Sequence, residues 1–435
     1  MPRLCNIYRN FVRYGKSPFF GFTCGHYYLT DSQKNSLKAL VNQEDCSVVG
    51  EFEFAFSKLL GGGSAVSYAS GRMAFYELLK VYEVGPGDEV ILLGFTCAVM
   101  ANAVLRTGAT PVYSDLDVET FGSCLETIEP ICTSNTRVIV VQHTFGIPCK
   151  VEQIIEFARG KGIIVIEDCA LTLGSSISGK LVGCFGDAAI FSTDHTKPIN
   201  TLVGGLAYTK NLRVANLLRE RRDNCSDLSH GHKMAIYDQI LIEKQYCNPS
   251  HESKLGLYKL FSATVKKFSS KRRSAFLDSD FGTSFTARYP YPARMPSFLC
   301  LLGLLEIEKW KEISRSRIEL LDAIIQSMPN EYISYLPKAY FDDRLVVVPL
   351  RFAFYCPDYT EREGFLSEFI DVNSIWFRQP VLGAQPAMSE LKYSTGNCPI
   401  SEKIGSGIVN FPCNFDPSFS GEFLKNIHRL ADSNL

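Results

Sequence analysis

The chain has 435 residues, too many for one ordinary core and suited to a large α/β domain with a smaller companion. Its composition, 46% hydrophobic and 21% charged, places it among globular proteins, and its net charge of −1 leaves no field to gather nucleic acid or an anionic membrane. Fifteen cysteines include no CxxC pair and none closer than Cys124 and Cys132, which removes zinc-ribbon and thioredoxin-like readings.

No metal site is expected. Without a secretory signal the thiols are expected to stay free in a reducing cytoplasm. Residues 1–50 are read as an N-terminal segment, in which Met1 to Tyr14 carries arginines but no uninterrupted apolar core. No stretch of the chain reaches the roughly 18 apolar residues that a spanning helix needs.

From 51 to 210, short apolar runs alternate with helical patterns, as in a large α/β domain. Ser70-Gly71-Arg72 opens a helical run from Met73 to Lys80. After the turn Gly85-Pro86-Gly87-Asp88, Glu89 to Leu93 reads as a strand. Arg137 to Gln142 is a second apolar run. Val151 to Arg159 sets Val151, Ile154, Ile155 and Ala158 on one helical face, Gly162 ends that helix, and Ile163 to Ile166 is a third run. Apolar runs buried on both faces and separated by helices imply a mainly parallel sheet covered on each side.

Residues 211–290 lack that rhythm and are read as a connecting segment or insertion. Within them Lys266, Lys267, Lys271, Arg272 and Arg273 are read as a solvated face, with contact to an anionic substrate such as a nucleotide diphosphate as the weaker reading. Residues 291–435 read as a smaller α+β domain. It holds a long helix from Ser297 to Met328, weakened by Gly303 and Ser314, the run Leu345 to Val348, and a closing helix near Gly421 to Ala431.

Ligands of such sheets bind at the carboxyl ends of the strands, so chemistry is expected just after each run. There stand Phe95-Thr96-Cys97, His143-Thr144-Phe145-Gly146 and Glu167-Asp168-Cys169. Asp168 is placed to keep a pyridinium nitrogen protonated; alone it would read as a helix N-cap. Lys197, after Ala188-Ala189-Ile190 and before Gly204-Gly205, suits an amine that attacks an aldehyde once sheltered; alone it would read as a surface lysine. Ser70-Gly71 offers free amides and a positive helix end to a phosphate, with Arg72 adding charge and Ser192 a hydroxyl. A phosphate cup, then an aspartate after a strand, then a lysine 29 residues later form a set that a protein made only of core has no reason to keep.

These residues resemble the DegT/StrS-type sugar aminotransferases, fold-type-I pyridoxal-phosphate enzymes. The resemblance runs from about Glu51 to the C-terminus through SGRMAFYELL (70–79), VGPGDEVILLGFT (84–96), ANAVLRTGATPVYSDLD (101–117), HTFGIP (143–148), IIVIEDCA (163–170) and GDAAIFSTDHTKPINTLVGG (186–205). It also takes in Phe54-Ala55-Phe56, Arg294-Met295 and Val409-Asn410-Phe411-Pro412.

The resemblance implies a mainly parallel seven-stranded sheet flanked by helices, with a smaller α+β C-terminal domain, and pyridoxal 5'-phosphate as cofactor. It implies Lys197 as the Schiff-base lysine, Asp168 as the pyridine-nitrogen partner, and Ser192 with the Ser70-Gly71-Arg72 turn as phosphate ligands, although most members have a small residue at the place of Arg72. It further implies glutamate as amino donor, a nucleotide-linked keto-sugar as acceptor, a pathway to a cell-surface polysaccharide or a glycosylated natural product, and a homodimer.

Three positions depart from the family. Cys97 stands where an aromatic usually stacks on the cofactor, Leu171 where a Gln or His usually follows, and Pro292 where an Asn usually reaches the partner's phosphate. A sugar dehydratase or other lyase with the same cofactor, and a non-catalytic relative acting as regulator or complex subunit, therefore stay open. His143 is expected to hold its turn. His195, two positions from the lysine, is given no role. Tyr289, Tyr291 and Trp310 are read as core or interface.

Overall fold

The computed structural model describes residues 18–251, 254, 277, 289–383 and 388–431; the basic cluster 266–273 lies outside them. Twelve strands occur among the described residues. They are β1 (Ser64–Tyr68), β2 (Glu89–Leu93), β3 (Thr110–Ser114), β4 (Thr136–Gln142), β5 (Ile164–Asp168), β6 (Ser176–Ile177), β7 (Lys180–Leu181), β8 (Ala188–Ser192), β9 (Gly205–Thr209), β10 (Leu345–Val346), β11 (Arg351–Tyr355) and β12 (Ile408–Pro412). Seven of them form one sheet in the order β1-β9-β8-β5-β4-β2-β3. The Val- and Ile-rich strands β2, β4 and β5 run parallel to their neighbours, while β9 lies antiparallel to both β8 and β1. Register sets Gln142 of β4 beside Asp168 of β5, and Asp168 beside Ile190 of β8. Gln142 and Asp168 thereby share one edge of the sheet, with β8 beside them.

The helices begin with α1 (Asp31–Asn42), which a Thr30–Gln33 capping box starts, and α2 (Cys46–Leu59). Then follow α3 (Gly71–Val81), α4 (Ala98–Thr107) and α5 (Val151–Lys161); Gly162, left-handed at φ 69°, stops α5. The segment after β9 departs from the sequence reading. Residues 212–246 hold two helices, α6 (Leu212–Asp223) and α7 (His230–Tyr246), and the side chains Val214, Ala215, Leu218, Ile236 and Ile240 join the same core as the sheet. The missed signal is charge: Arg213, Arg219, Glu220, Arg221, Arg222 and Asp223 mask an apolar face only a few residues wide.

The long helix α8 (Ser297–Ser327) is unbroken at Gly303. A β-carbon there would lie 2.4 Å from Phe52 of α2, so the glycine is required by the close approach of two helices. Phe298, Leu299 and Leu302 pack in the sheet's core, whereas Leu320, Leu321 and Ile324 pack in a second core with β11 and β12. One helix thus ties the two together. The run at Leu345 does not stay with its neighbours in sequence: β10 pairs with β6, joining a small sheet with β6 and β7. Among the described residues no helix is long and apolar enough to cross a membrane.

Candidate active site

At the carboxyl edge of the sheet lies a cavity of about 420 Å³. Asp168 and Lys197 both line it, one at the end of β5 and the other in the loop after β8. Ser70, Gly71 and Arg72 line it from the first turn of α3, Cys97 from the residue that caps α4, and Ser192 from the end of β8. Chain segments far apart in sequence therefore meet at one place because each follows, or opens, an element of the same sheet layer.

Asp168 is 5% exposed, and its Oδ1 accepts the Ala170 N–H at 2.9 Å. Burial pushes its carboxyl above the usual range, while that N–H and the Lys197 amine pull it back. Lys197 is half-buried. Burial pushes its ammonium below an ordinary lysine, Asp194, Cys97 and Asp168 oppose this, and the Arg351 guanidinium adds to it. Each group alone is thus drawn toward its neutral form. A cationic ring nitrogen near Asp168 and a carbonyl near Lys197 would suit both.

The helix end is shaped for close approach. Ser70 caps α3, its hydroxyl accepting the Met73 N–H at 3.4 Å. A β-carbon on Gly205 would sit 2.3 Å from the Gly71 nitrogen, and one on Gly71 3.2 Å from the Ser192 β-carbon. Only glycine lets β9 cross the helix N-terminus so tightly. Arg72 donates from Nη2 to the Tyr289 hydroxyl at 3.0 Å, and the Tyr291 hydroxyl donates to the Arg72 carbonyl at 3.3 Å. Tyr289, Tyr291 and Trp310 are not among the cavity's lining residues. Burial pushes the Cys97 thiol up, which makes it an apolar wall rather than a nucleophile.

Several lining residues were not foreseen. Gln142 reaches in beneath Phe95, donating from Nε2 to its carbonyl at 2.6 Å. His195 lines the cavity, and its Nδ1 lies 3.2 Å from Glu243 of α7. Trp376, Phe377, Leu382 and Gly383 arrive from the C-terminal half. The stretch is held by Val381 N–H to the Gly94 carbonyl at 2.9 Å and Leu382 N–H to the Thr96 carbonyl at 2.7 Å. The Lys197 amine lies 4.4 Å from the Trp376 ring centroid, and the Arg351 guanidinium 3.4 Å. One signal was available: Trp376 is one of only two tryptophans and stands near Pro380 and Gly383.

Beneath Asp168, Glu167 collects the loop after β7. Its carboxylate accepts the N–H groups of Gly183 at 2.7 Å, Phe185 at 2.6 Å and Gly186 at 2.7 Å, and lies 3.0 Å from His143 Nε2. His143 Nδ1 accepts the Cys149 N–H at 3.2 Å, so its Nε2 carries the proton that Glu167 receives. His143 thereby holds the turn it opens. Glu167, His143 and Cys169 are near enough to hold a cation, but the carboxylate's lone pairs are already used by these four donors. Replacing Glu167 by alanine leaves three amides and an imidazole unpaired, and is expected to lower the unfolding free energy by about 3–5 kcal/mol in a denaturant titration. A loss below about 1 kcal/mol, within the range of a surface change, would remove this structural role.

The pattern of the DegT/DnrJ/EryC1/StrS aminotransferase family matches residues 34–429. Over 188 residues the chain is 37% identical to the UDP-N-acetyl-3-dehydro-alpha-D-glucosamine 3-aminotransferase of Acidithiobacillus ferrooxidans, a stretch covering 43% of this chain and 51% of that protein. Over 185 residues it is 36% identical to the GDP-perosamine synthase of Escherichia coli O157:H7, covering 42% and 51%. The chain thus spans about half the length of these curated relatives. A solved aminotransferase from Psychrobacter cryohalolentis shares the fold at 19% identity, with a TM-score of 0.69 over 92% of this chain and 97% of its own. Matched by the family pattern through both cores and the cavity between their elements, the chain belongs to the DegT/DnrJ/EryC1/StrS aminotransferase family.

Proposed function

We propose that the protein is a pyridoxal-phosphate-dependent aminotransferase that moves nitrogen from glutamate to the keto group of a nucleotide-linked sugar. The observation that carries this reading is the meeting of Lys197 and Asp168, from separate strand ends, at one cavity beside the first turn of α3. The named activities of the curated relatives, on UDP- and GDP-linked sugars, support the acceptor class.

A phosphorylated pyridine fits the donor set. The start of an eleven-residue helix, with Ser70, Arg72 and Ser192 around it, suits the phosphate. Bound there, the cofactor supplies a carbonyl with which amines condense and a protonated ring that takes up the electrons of a carbanion. Asp168 would face the ring nitrogen and favour a proton on it. With the cofactor bound, Lys197 would be the residue that holds its carbonyl carbon, and its free amine would be placed to take the proton from the donor's α-carbon. Its lowered pKa keeps a larger share of the free base near neutral pH. Leu171, Val203 and Trp376 give the cavity apolar walls that would limit water at the reacting groups. Cys97 and Leu171 offer neither a stacking ring nor a hydrogen bond, so the residues that would hold the group are those of the helix turn, Ser192 and Asp168. By the same reading the enzyme is a homodimer of a reducing cytoplasm.

The test is incubation of the purified protein with 15N-glutamate and a panel of keto nucleotide sugars, read by mass spectrometry. The heavy nitrogen is expected in the sugar. Loss of a hydroxyl without nitrogen gain would assign a lyase instead. No product and no spectral response to glutamate would leave the non-catalytic reading.

A further inference from the structure

A second, smaller pocket of about 160 Å³ shares His195 and Lys197 with the main cavity and continues past them. Its remaining walls come from α8, from the stretch around Cys24 to Tyr28, and from Asn414 and Phe415. Arg317 of α8 lines it. The residue is 5% exposed, and its Nε and Nη1 are buried with no hydrogen-bond partner among the described residues. A guanidinium keeps its charge at any working pH, so it stands here as a buried cation with donors unspent. Such a group is strongly disfavoured unless an anion faces it.

The protein's own carboxylates do not fill that need. Glu306, whose charge acts on Arg317, already accepts the Tyr28 hydroxyl, takes the Asn200 N–H at 3.5 Å, and lies 3.9 Å from His26. No ion pair joins Arg317 to Glu306 or Glu312 among the described residues. The charged groups lining the pocket are Lys197, Lys309 and Arg317 against Glu306 and Glu312, with His195 beside them. Lys309 and Arg317 alone match Glu306 and Glu312 in number, so the pocket holds no excess of negative charge to repel an anion even with Lys197 neutral. The volume admits a few heavy atoms, well short of the roughly 300 Å³ at which sites for drug-sized molecules begin.

We propose that Arg317 anchors a small carboxylate in this side pocket, next to Lys197. The planar fork of a guanidinium matches a carboxylate with two parallel hydrogen bonds. Two sources share that chemistry: the side-chain carboxylate of the amino donor, reaching past Lys197, or a free monocarboxylate. The first source rests on the aminotransferase reading; the pocket itself does not.

The test uses the full chain with its cofactor, and glutarate and acetate as probes. Thermal shift titrations are run on the wild type, Arg317→Met and Arg317→Lys. Glutarate or acetate is expected to raise the melting temperature of the wild type, with binding at least about tenfold weaker in Arg317→Met, as for one lost partner of a buried charge pair. Arg317→Lys keeps the charge and loses the fork, so about threefold or more weakening is expected, and this variant carries the test if methionine does not fold. A rise in the KM for glutamate in the variants, with the KM for the keto-sugar unmoved, assigns the pocket to the donor. Probe binding that depends on Arg317 while the glutamate KM stays unchanged assigns it to a free carboxylate. No shift in the wild type, or equal shifts in the variants, overturns the proposal. Because the shifts need no turnover, an inactive wild type would sink the aminotransferase reading and leave this measurement intact.

Discussion

Lys197→Ala is expected to abolish the visible absorbance of the purified protein and to lower turnover by at least about 10⁴-fold, the upper range for a lost general acid–base group, since the same side chain also makes the covalent link. The physical reason is that nothing else in the cavity duplicates it. Cys97 is held as a thiol by burial, and Arg72 cannot lose a proton. His195, the other titratable neighbour, has its Nδ1 against Glu243 at 3.2 Å. The fold should survive, because the loop is fastened by its backbone: the Lys197 N–H donates to the Asp194 carbonyl at 2.9 Å, and the His195 N–H to the Leu202 carbonyl at 3.1 Å. Removing an amine that burial disfavours should leave the melting temperature of the cofactor-free protein unchanged or slightly raised. Added methylamine should restore part of the proton transfer. A variant that keeps both the absorbance and the turnover would remove Lys197 from the chemistry.

The parallel half of the sheet was readable because strands buried on both faces leave unbroken apolar runs, as at Val138 to Val141 and Ile164 to Ile166. The cavity was partly readable for a related reason. The residue that ends such a run lies at the sheet's edge whatever the loop does next, so Asp168 could be placed by counting along the strand. Lys197 could not be placed that way, being five residues beyond Ser192; the family pattern around it located it. The contributions of Trp376 and Leu382 had little local signal, no more than the rarity of tryptophan and the nearby Pro380 and Gly383. They depend on backbone bonds from Val381 and Leu382 to Gly94 and Thr96, nearly three hundred residues earlier, and on left-handed backbone at Phe377 and Val381. Neither pattern has a period in sequence. Arg317 was equally hidden: on α8 it reads as one more charge of a solvated face, and only the folded chain buries it, beside a pocket whose walls include Cys24, Tyr28 and Asn414.

Asp168→Asn is expected to lower turnover by about 10²–10³-fold, the scale for one lost electrostatic contact to a charge in the reaction, while leaving the fold in place. Asparagine has the same shape, and its side-chain oxygen can keep the Ala170 N–H. What it lacks is the negative charge that makes a proton on the ring nitrogen favourable. Without that proton the ring is a poor electron sink, and the removal of the donor's α-proton by Lys197 meets a higher barrier. The sign with pH follows from the direction of the shift. Burial raises the Asp168 carboxyl in the cofactor-free protein, so the carboxylate is lost as pH falls through a value above the usual range. Cofactor affinity in the wild type should therefore weaken on acidification, as protonated Asp168 ceases to attract the ring cation. In the asparagine variant that acid limb should disappear, with affinity already low at neutral pH. The measurement is cofactor dissociation against pH for both proteins, beside single-turnover rates with glutamate. An unchanged acid limb in Asp168→Asn would assign the titration to another group, and unchanged turnover would show that the ring's proton is held from elsewhere.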